Sequence, residues 1–364
     1  MIRWLVLYPV SQLYRLIMAT RNFLYDINYF NVTEFSFPVI CVGNITVGGT
    51  GKTPHIELLV NLLKPLFKIA VVSRGYKRKT KGYLLADAES TVAQIGDEPR
   101  QIKRKFEDIQ VAVCEKRVTA VNNLLGLDNK PEVILLDDAY QHRSIKPGYS
   151  ILLIDYNRIT VDDYLMPFGR LRESPHQSSR ANMIIITKCP HNLKPIDRRV
   201  MAKHLHLKPF QTIFFTGINY KTIIPLFTPA PGNVSITKKT EILLVTGIAK
   251  SDNLVMYIKK NISEHITHIP YPDHHNFSKR NMLRIAEVFA QLPGDDKIVL
   301  TTEKDAVRLA DSTFLPETVK PYLFYVPIEI NFIFNDENDF YNQILNYVRK
   351  DTTNYKLHTT IRQF

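Results

Sequence analysis

Residues 43–53 (GNITVGGTGKT) decide the fold, because they combine a glycine-rich turn with a Gly-Lys-Thr ending. An apolar segment, residues 38–42 (PVICV), precedes this turn, and a helical pattern over residues 54–66 follows it. A strand, a glycine-rich turn and a helix in this order are the context of a phosphate-binding loop, in which backbone N–H groups and the helix N-terminus face phosphate. The sequence therefore predicts a P-loop at the end of a strand in a parallel α/β sheet.

The loop departs from strict P-loop spacing, because Thr46 stands where the first glycine is expected. Gly48 and Gly49 restore the backbone freedom that this glycine would give. We expect Lys52 to neutralise phosphate charge and the Thr53 hydroxyl to bind Mg²⁺. A glycine-rich turn without a ligand is the alternative interpretation. The predicted nucleotide-binding residues are Thr46, Val47, Gly48, Gly49, Thr50, Gly51, Lys52 and Thr53.

The metal-binding partner of a P-loop is expected at the end of another buried strand. Residues 132–138 (EVILLDD) fit, since four apolar residues end in Asp137 and Asp138. One of the two could bind Mg²⁺ directly or through water while the other holds the loop, and these roles are open between them. An Asp-rich turn that caps the next helix is the alternative. Guanine specificity is unsupported, because residues 187–190 (TKCP) lack the Asp of the pattern [NT]KxD.

The chain has 364 residues, about two domains at ~150 residues each. Strands alternate with helical stretches up to residue 187, and a second series begins at residue 241, which predicts a P-loop NTPase-like parallel sheet domain and a second, smaller α/β domain. Pro229, Pro231 and Gly232 mark a connection between them. The expected limits are an N-terminal helix at 1–25, the P-loop domain at 26–215, a linker at 216–238, the second domain at 239–350 with its last helix at 339–349, and a frayed tail at 351–364.

The net charge of +12 is typical of chains that bind nucleic acid, an anionic membrane or phosphorylated substrates. No nucleic-acid-binding motif is found, so nucleic acid is the weakest partner. No run of 18 or more apolar residues is present, which argues against a transmembrane helix. The run at 77–81 (KRKTK) is interpreted as a solvated loop, with headgroup or substrate contact as the alternative. The cysteines Cys41, Cys114 and Cys189 form no CxxC pair, which favours a reducing compartment without zinc or disulfides.

The first 25 residues carry a net charge of +3 from arginines alone. Pro9 suits the first turn of a helix, after which apolar side chains recur at helical spacing. Trp4, Tyr8 and Tyr14 beside the arginines favour a monotopic helix in the interface of an anionic bilayer. Packing of this helix on the protein's own core is the alternative.

Further motifs follow the P-loop along the chain. They are RNFLYD at 21–26, SRGY at 73–76, GDEP at 96–99, DDAYQHR at 137–143, GRLRE at 169–173, PDHH at 272–275 and TTEKDAVR at 301–308. Their order resembles the tetraacyldisaccharide 4′-kinase (lipid A 4′-kinase) family over nearly the whole chain. One departure is Lys250 and Ser251, where the family often has proline nearby.

The resemblance implies ATP- and Mg²⁺-dependent phosphorylation of the 4′-hydroxyl of a lipid A disaccharide 1-phosphate. It implies a peripheral or monotopic protein at the cytoplasmic face of the bacterial inner membrane, with two α/β domains and a cleft between them. A membrane-associated P-loop ATPase switch and a soluble sugar kinase are the alternative functions. The oligomeric state is left open.

Two acids and a histidine are candidates for the chemistry. Asp97 is the expected base for the attacking hydroxyl, with a helix N-cap as its alternative role. The resemblance suggests that His274 orients or polarises Asp97 across the cleft, while a surface histidine is the alternative. Glu98 could hold Mg²⁺ through water or pair with Arg100.

Basic side chains in these motifs, together with Arg117, are candidates for contacts to the anionic substrate, because guanidinium groups match phosphate oxygens and His142 could hydrogen-bond a phosphate. Each could instead be a solvated or packed surface group. Glu173 could join the metal ligands or pair with Arg172. The predicted substrate-binding residues are Arg74, Arg117, His142, Arg170 and Arg172.

Overall fold

A computed structural model describes residues 2–159, 163–227 and 236–361. The expected connection at Pro229, Pro231 and Gly232 lies outside the described residues. The chain divides into two compact units. The first unit comprises Met1–Glu89, Ile102–Ile218 and Ile330–Phe364, and the second comprises Ser90–Gln101 and Asn219–Glu329.

Helices and strands alternate through most of the chain and are numbered in chain order. The helices are α1 (Ile2–Asp26), α2 (Lys52–Leu63), α3 (Val92–Ile95), α4 (Asp97–Lys105), α5 (Arg117–Leu125), α6 (Pro195–His204), α7 (Asp252–Asn261), α8 (Lys279–Gln291), α9 (Glu303–Ala310) and α10 (Glu337–Ile361). The strands are β1 (Thr33–Glu34), β2 (Val39–Gly43), β3 (Ile69–Ser73), β4 (Leu84–Leu85), β5 (Gln110–Val113), β6 (Val133–Asp137), β7 (Ile145–Lys146), β8 (Tyr149–Asp155), β9 (Met183–Thr187), β10 (Thr212–Tyr220), β11 (Ile224–Pro225), β12 (Glu241–Thr246), β13 (Ile266–Pro270), β14 (Lys297–Thr302), β15 (Leu323–Val326) and β16 (Ile328–Phe332).

A mainly parallel sheet organises the first unit. Over the described residues it has nine strands in the order β16-β10-β9-β8-β2-β6-β3-β5-β4. The neighbours from β10 to β5 are parallel, and β4 is antiparallel to β5. Every residue of β2, β3, β6 and β9 is buried, as expected for strands covered on both faces. Since Val42 pairs with Asp137, the P-loop starts beside the carboxyl end of β6.

The second unit contains a smaller sheet. Within the described residues its strand order is β11-β15-β14-β12-β13, with β12 parallel to both neighbours. Successive side chains of β12 alternate between two apolar clusters, because side chains of a strand point to opposite faces. Leu243 packs in the cluster of α8, and Leu244 packs in the cluster of α7. The predicted P-loop NTPase-like parallel sheet with a second α/β part is confirmed.

Residues Ser90–Gln101 cluster with the second unit, although they fall inside the range 26–215 expected for the P-loop domain. Contacts with Asp311 explain why these residues belong to the second unit. Its carboxylate accepts a 2.7 Å hydrogen bond from the amide of Val92 and pairs with Arg100 at 3.6 Å. These long-range contacts bind α3 and the start of α4 to the end of α9.

Two helices differ from the sequence pattern, α1 in the place of its proline and α10 in its length. α1 begins at Ile2, so Pro9 lies inside it rather than in its first turn. The ring of Trp4 packs on Phe168 with centroids 4.5 Å apart, which holds the turns before the proline. α10 continues past residue 349 to Ile361, and no glycine or proline follows residue 349 to end it.

Candidate nucleotide-binding loop and acid–base cluster

The P-loop connects β2 to α2 through residues with left-handed backbone angles. Gly48 has φ 105° and Gly51 has φ 84°, conformations that favour glycine. Gly51 is the N-cap of α2 and provides no side-chain cap, so the first N–H groups of α2 are left without a capping partner. Within the described part of the chain, no acceptor is found for the amides of residues 48–51. The loop therefore presents a row of N–H donors suited to an anion.

The GRLRE motif holds the first half of the loop. The amide of Val47 donates to the carbonyl of Arg170 at 2.8 Å, and the amide of Arg172 donates to the carbonyl of Ile45 at 2.8 Å. Thr46 also forms an isolated bridge with Leu171. The backbone of this motif thus fixes the loop, while the side chain of Arg170 is exposed.

Side chains from other elements hold the second half of the loop. Asn44 Nδ2 donates to Thr50 Oγ1 at 2.8 Å, and Gln141 Nε2 donates to the carbonyl of Asn44 at 2.7 Å. Lys188, in the TKCP segment, donates to the carbonyl of Gly49. The loop is therefore braced by the DDAYQHR segment and by the end of β9.

Asp138 lies beside the lysine of the loop. Its carboxylate is 3.7 Å from Lys52 Nζ and 3.1 Å from Arg172 Nη1. Burial acts to raise the pKa of Asp138, but the charges of Lys52 and Arg172 outweigh burial and lower the pKa below its ordinary value. The side chain remains 28% exposed, so an ionised carboxylate faces outward next to Lys52.

Asp137 has a different environment. It is 1% exposed and accepts a 3.2 Å hydrogen bond from Ser73 Oγ. Arg117, which is 2% exposed, donates to the carbonyls of Asp137 at 3.4 Å and Cys114 at 2.9 Å. Burial lowers the pKa of Arg117. Both side chains are thus packed within the first unit, in contrast to Asp138.

The remaining basic candidates differ in exposure. His142 Nε2 accepts a 3.3 Å hydrogen bond from the amide of Arg117. Burial, followed by the charges of Arg117, Arg21 and Arg74, lowers the pKa of His142 to about 4. His142 is therefore neutral at pH 7, whereas Arg74 is an exposed cation.

Glu173 joins α1 to the loop region. It is fully buried and pairs with Arg180 at 2.8 Å and with Arg21 at 3.8 Å. Asn22 and Gln141 also donate to it at 3.5 Å. Its observed ionic partners are Arg180 and Arg21, instead of the Arg172 considered from the sequence.

Asp97 and His274 lie together inside the second unit. His274 Nδ1 is 2.9 Å from Asp97 Oδ2, and His274 Nε2 is 3.0 Å from Lys304 Nζ. Since an ammonium group only donates, Nε2 is the acceptor and Nδ1–H donates to Asp97. Burial acts to raise the pKa of Asp97, but hydrogen bonds from His274 and Arg308 outweigh burial and hold the pKa well below its usual range. The sequence predicted Asp97 in the P-loop domain and His274 in the second domain. In the structure both residues belong to the second unit.

The expected metal ligands fall into both units. Thr53, Asp137 and Asp138 lie in the first unit, and Glu98 lies in the second. Among the described residues, no group of three or more His, Cys, Asp or Glu could hold a metal ion. That finding leaves room for Mg²⁺, which typically takes one or two protein carboxylates together with phosphates and waters. Arg100, considered as the partner of Glu98, pairs with Asp311.

Sequence reasoning missed three residues of the acid–base cluster. Lys304, Asp305 and Arg308 lie on α9 and reach His274 or Asp97 directly or through one another. Their signal was the TTEKDAVR segment, in which Thr302 caps α9 and Asp305 and Arg308 are three residues apart.

The loop between a buried parallel strand and α2, with Lys52 beside an ionised aspartate, defines a P-loop nucleotide-binding protein. A family model described as tetraacyldisaccharide-1-P 4′-kinase matches residues 3–349. The chain therefore belongs to this kinase family, and the resemblance is confirmed.

Similar proteins agree with this assignment. A tetraacyldisaccharide 4′-kinase of Bacteroides thetaiotaomicron is 44% identical over 362 residues, which cover 97% of this chain and 94% of that protein. A protein of the same name from Phocaeicola vulgatus is 46% identical over 358 residues, covering 97% of this chain and 96% of its own length. The crystal structure of LpxK from Aquifex aeolicus in complex with ATP has a TM-score of 0.72 at 27% identity, covering 96% of this chain and 100% of that chain.

Proposed function

We propose that this chain transfers the γ-phosphoryl group of ATP to the 4′-hydroxyl of a tetraacyldisaccharide 1-phosphate in lipid A biosynthesis. The observation that carries the proposal is the loop with unpartnered amides that ends at Lys52, 3.7 Å from Asp138, in a chain matched by the kinase family over residues 3–349. The names of the relatives do not favour a membrane-associated ATPase switch.

The P-loop is suited to the phosphates of ATP. The amides of residues 48–51 and the N-terminus of α2 bind phosphate oxygens, and Lys52 neutralises their charge. The Thr53 hydroxyl and the outward-facing carboxylate of Asp138 are the side chains that would hold Mg²⁺. When bound, the ion neutralises charge on the phosphates during transfer. Asp137, at 1% exposure, is suited to supporting the end of β6, and a role for Glu98 stays a prediction.

Asp97 is proposed as the base that accepts the proton of the 4′-hydroxyl, and His274 as the residue that orients it. Their 2.9 Å hydrogen bond and the ionised state of Asp97 support these roles. Arg74 and Arg170 are exposed and suited to an anionic substrate, as is Arg172 at 30% exposure. The buried Arg117 and the neutral His142 are better suited to supporting the loop region.

We also propose that α1 lies in the interface of the anionic inner membrane at its cytoplasmic face. A surface helix normally turns its apolar stripe toward the core. α1 does the opposite, because its polar residues Ser11 and Asn22 are 1% and 5% exposed and bond to the first unit. The apolar side chains on its outside are at least 49% exposed, namely Leu5, Val6, Val10, Leu13, Leu16, Ile17 and Phe23. In the described ranges, no helix is long and apolar enough to cross a membrane.

The function is tested by incubating the full chain with γ-³²P-ATP and tetraacyldisaccharide 1-phosphate in detergent micelles and mapping the labelled hydroxyl. We expect label at the 4′ position. Lys52→Ala and Asp97→Ala should each lower turnover by about 10²-fold or more, and His274→Ala should lower it less. Lys64→Ala is the matched control, since Lys64 directly follows α2 and pairs with an exposed aspartate, Asp108.

Three outcomes would contradict the proposal. ATP hydrolysis with nucleotide-dependent release from vesicles and no labelled disaccharide would favour the ATPase switch. Full activity on a deacylated disaccharide without detergent would favour a soluble sugar kinase. Turnover of Asp97→Ala at the wild-type rate would exclude Asp97 as the base.

A further inference from the structure

We propose that Arg308 is a positioning residue for Asp97, which it holds by one carboxylate oxygen so that the other is left for the acceptor hydroxyl. This inference rests on the proposed function, in which Asp97 is the base. Neither Arg308 nor its anchor Asp305 was among the residues expected from the sequence.

The two donors that reach Asp97 share one oxygen atom. Both His274 Nδ1, at 2.9 Å, and Arg308 Nη2 donate to Oδ2. In the described part of the chain, no partner is found for Oδ1, and the side chain of Asp97 is 14% exposed. The carboxylate is therefore fixed on one side and available on the other.

Arg308 is itself fixed by a buried acid. Its Nη1 donates to Asp305 Oδ1 at 2.8 Å, and Asp305 is fully buried. The second oxygen of Asp305 accepts hydrogen bonds of 2.7 Å from the amide of Gly247 and from Thr302 Oγ1. The guanidinium thus uses two separate nitrogens to join two carboxylates, a geometry that the single ammonium of lysine does not reproduce.

The same helix holds His274 from its other side. Lys304 lies one turn before Arg308 on α9, so both side chains leave the same face of the helix. Lys304 Nζ bonds to His274 Nε2 at 3.0 Å and to Asp273 at 3.1 Å. Each donor to Asp97 is consequently supported from α9, Arg308 by Asp305 and His274 by Lys304.

This arrangement has a defined consequence for phosphoryl transfer. As the 4′-oxygen forms its bond to the γ-phosphorus and the bond to the β–γ bridging oxygen breaks, the hydroxyl proton passes to Asp97 Oδ1 and ADP leaves. Proton transfer depends on the direction of the accepting lone pair, and a small misplacement of a catalytic group costs about 10²-fold in rate. Arg308 sets that direction without contacting the substrate.

The inference is tested with Arg308→Lys, Arg308→Gln and Asp305→Asn in the full chain. We expect each to lower kcat by about 10²-fold while KM for both substrates and the affinity for ATP stay unchanged. Arg100→Gln is the matched control, because Arg100 also joins α4 to the end of α9, but through its ion pair with Asp311. Urea unfolding of every variant checks that the fold is retained.

A double-mutant cycle separates positioning from general support. If Arg308 acts through Asp97, adding Arg308→Gln to Asp97→Asn costs little further kcat; a full additional loss would overturn the inference. Wild-type kcat in a folded Arg308→Lys, or an equal loss in Arg100→Gln, would also overturn it. If Arg308→Gln does not fold, the kcat values of Arg308→Lys and Asp305→Asn test the inference in its place. A wild-type chain that forms no labelled disaccharide refutes the proposed function, and this inference with it.

Discussion

His55 shows how a single buried side chain supports the P-loop. It is 2% exposed, with Nδ1 2.7 Å from the carbonyl of Gly51 and Nε2 3.1 Å from Thr216 Oγ1. Because a carbonyl only accepts, Nδ1 carries the proton and Nε2 accepts from the threonine hydroxyl. Burial lowers the pKa of His55 from its ordinary 6.5 to about 4, so the ring is neutral in the folded chain.

This burial predicts a pH dependence of stability. Between pH 6.5 and 4 the unfolded chain binds a proton at His55 that the folded chain does not, so the free energy of unfolding falls as the pH falls through this window. The shift in the pKa of His55 changes the free energy of unfolding by about 3 kcal/mol across this window. His142, whose pKa is also lowered to about 4, adds a loss in the same direction.

Urea unfolding at several pH values measures the effect. His55→Gln removes the titrating group, so the decline between pH 6.5 and 4 should become shallower. His191→Gln, which replaces an exposed histidine, controls for the substitution itself. An unchanged decline in His55→Gln would refute the assignment.

The candidate site was partly predictable at the scale of residues. The P-loop, Lys52 and the two aspartates could be predicted from the sequence, because each directly follows a segment with the pattern of a buried strand. The difference between Asp137 and Asp138 was not predictable, since it depends on the register of β6 and on the left-handed φ of 48° at Asp138. The contact of Arg308 with Asp97 spans 211 residues and leaves no periodic signal.

At the scale of elements, α1 is the clearest case of a pattern with two interpretations. The spacing of its apolar residues fitted packing on the core as well as a membrane interface. In the structure the polar side of α1 packs on the first unit through Ser11 and Asn22, and the apolar side is exposed. The expected place of Pro9 in the first turn of the helix differs from the structure, in which Pro9 lies inside α1 and Trp4 packs on Phe168 in the turn before it.

The outer face of α1 can be tested without disturbing its inner face. We expect the double substitution Leu13→Glu and Ile17→Glu to reduce binding to anionic vesicles, because these side chains are 59% and 57% exposed and would meet headgroups and acyl chains. Co-sedimentation with the vesicles measures binding. Deletion of residues 1–25 is less specific, since it also removes Arg21 and Asn22 from the buried Glu173.

The matched control lies on α6. Ile196 and Val200 are also four residues apart on a helix of the first unit and are 58% and 59% exposed. Ile196→Glu with Val200→Glu should leave vesicle binding unchanged. Equal loss in both double variants would indicate a general effect of charge, and no loss in the α1 variant would refute the interface.

At the scale of the whole molecule, the repeated strand–helix pattern was enough to predict two α/β parts. It could not show that residues Ser90–Gln101 belong with the second unit. Their contact with Asp311 joins residues 219 apart, a separation that no local sequence pattern reveals. The end of the chain returns to the first unit, where β16 and α10 complete it.

Removal of α10 should therefore damage the nucleotide-binding part of the chain. Tyr347 Oη contacts the amide and carbonyl of Val39 at 3.1 and 3.2 Å, at the start of the strand that leads into the P-loop. Phe340, which is 1% exposed, packs on Phe214 of β10. A chain ending at residue 336 should lose affinity for ATP in a filter-binding assay, while a chain ending at residue 351 should keep it. Retained affinity in the shorter chain would contradict this prediction.

The same return of the chain bears on how the protein is made. On the ribosome, β2 and its loop emerge well before α10, because Tyr347 of α10 and its contact Val39 of β2 are 308 residues apart. The second unit has all of its residues once Glu329 has been added, whereas the first unit still needs Ile330–Phe364. Folding during synthesis can thus finish the later-encoded unit first, the reverse of the common N-to-C order.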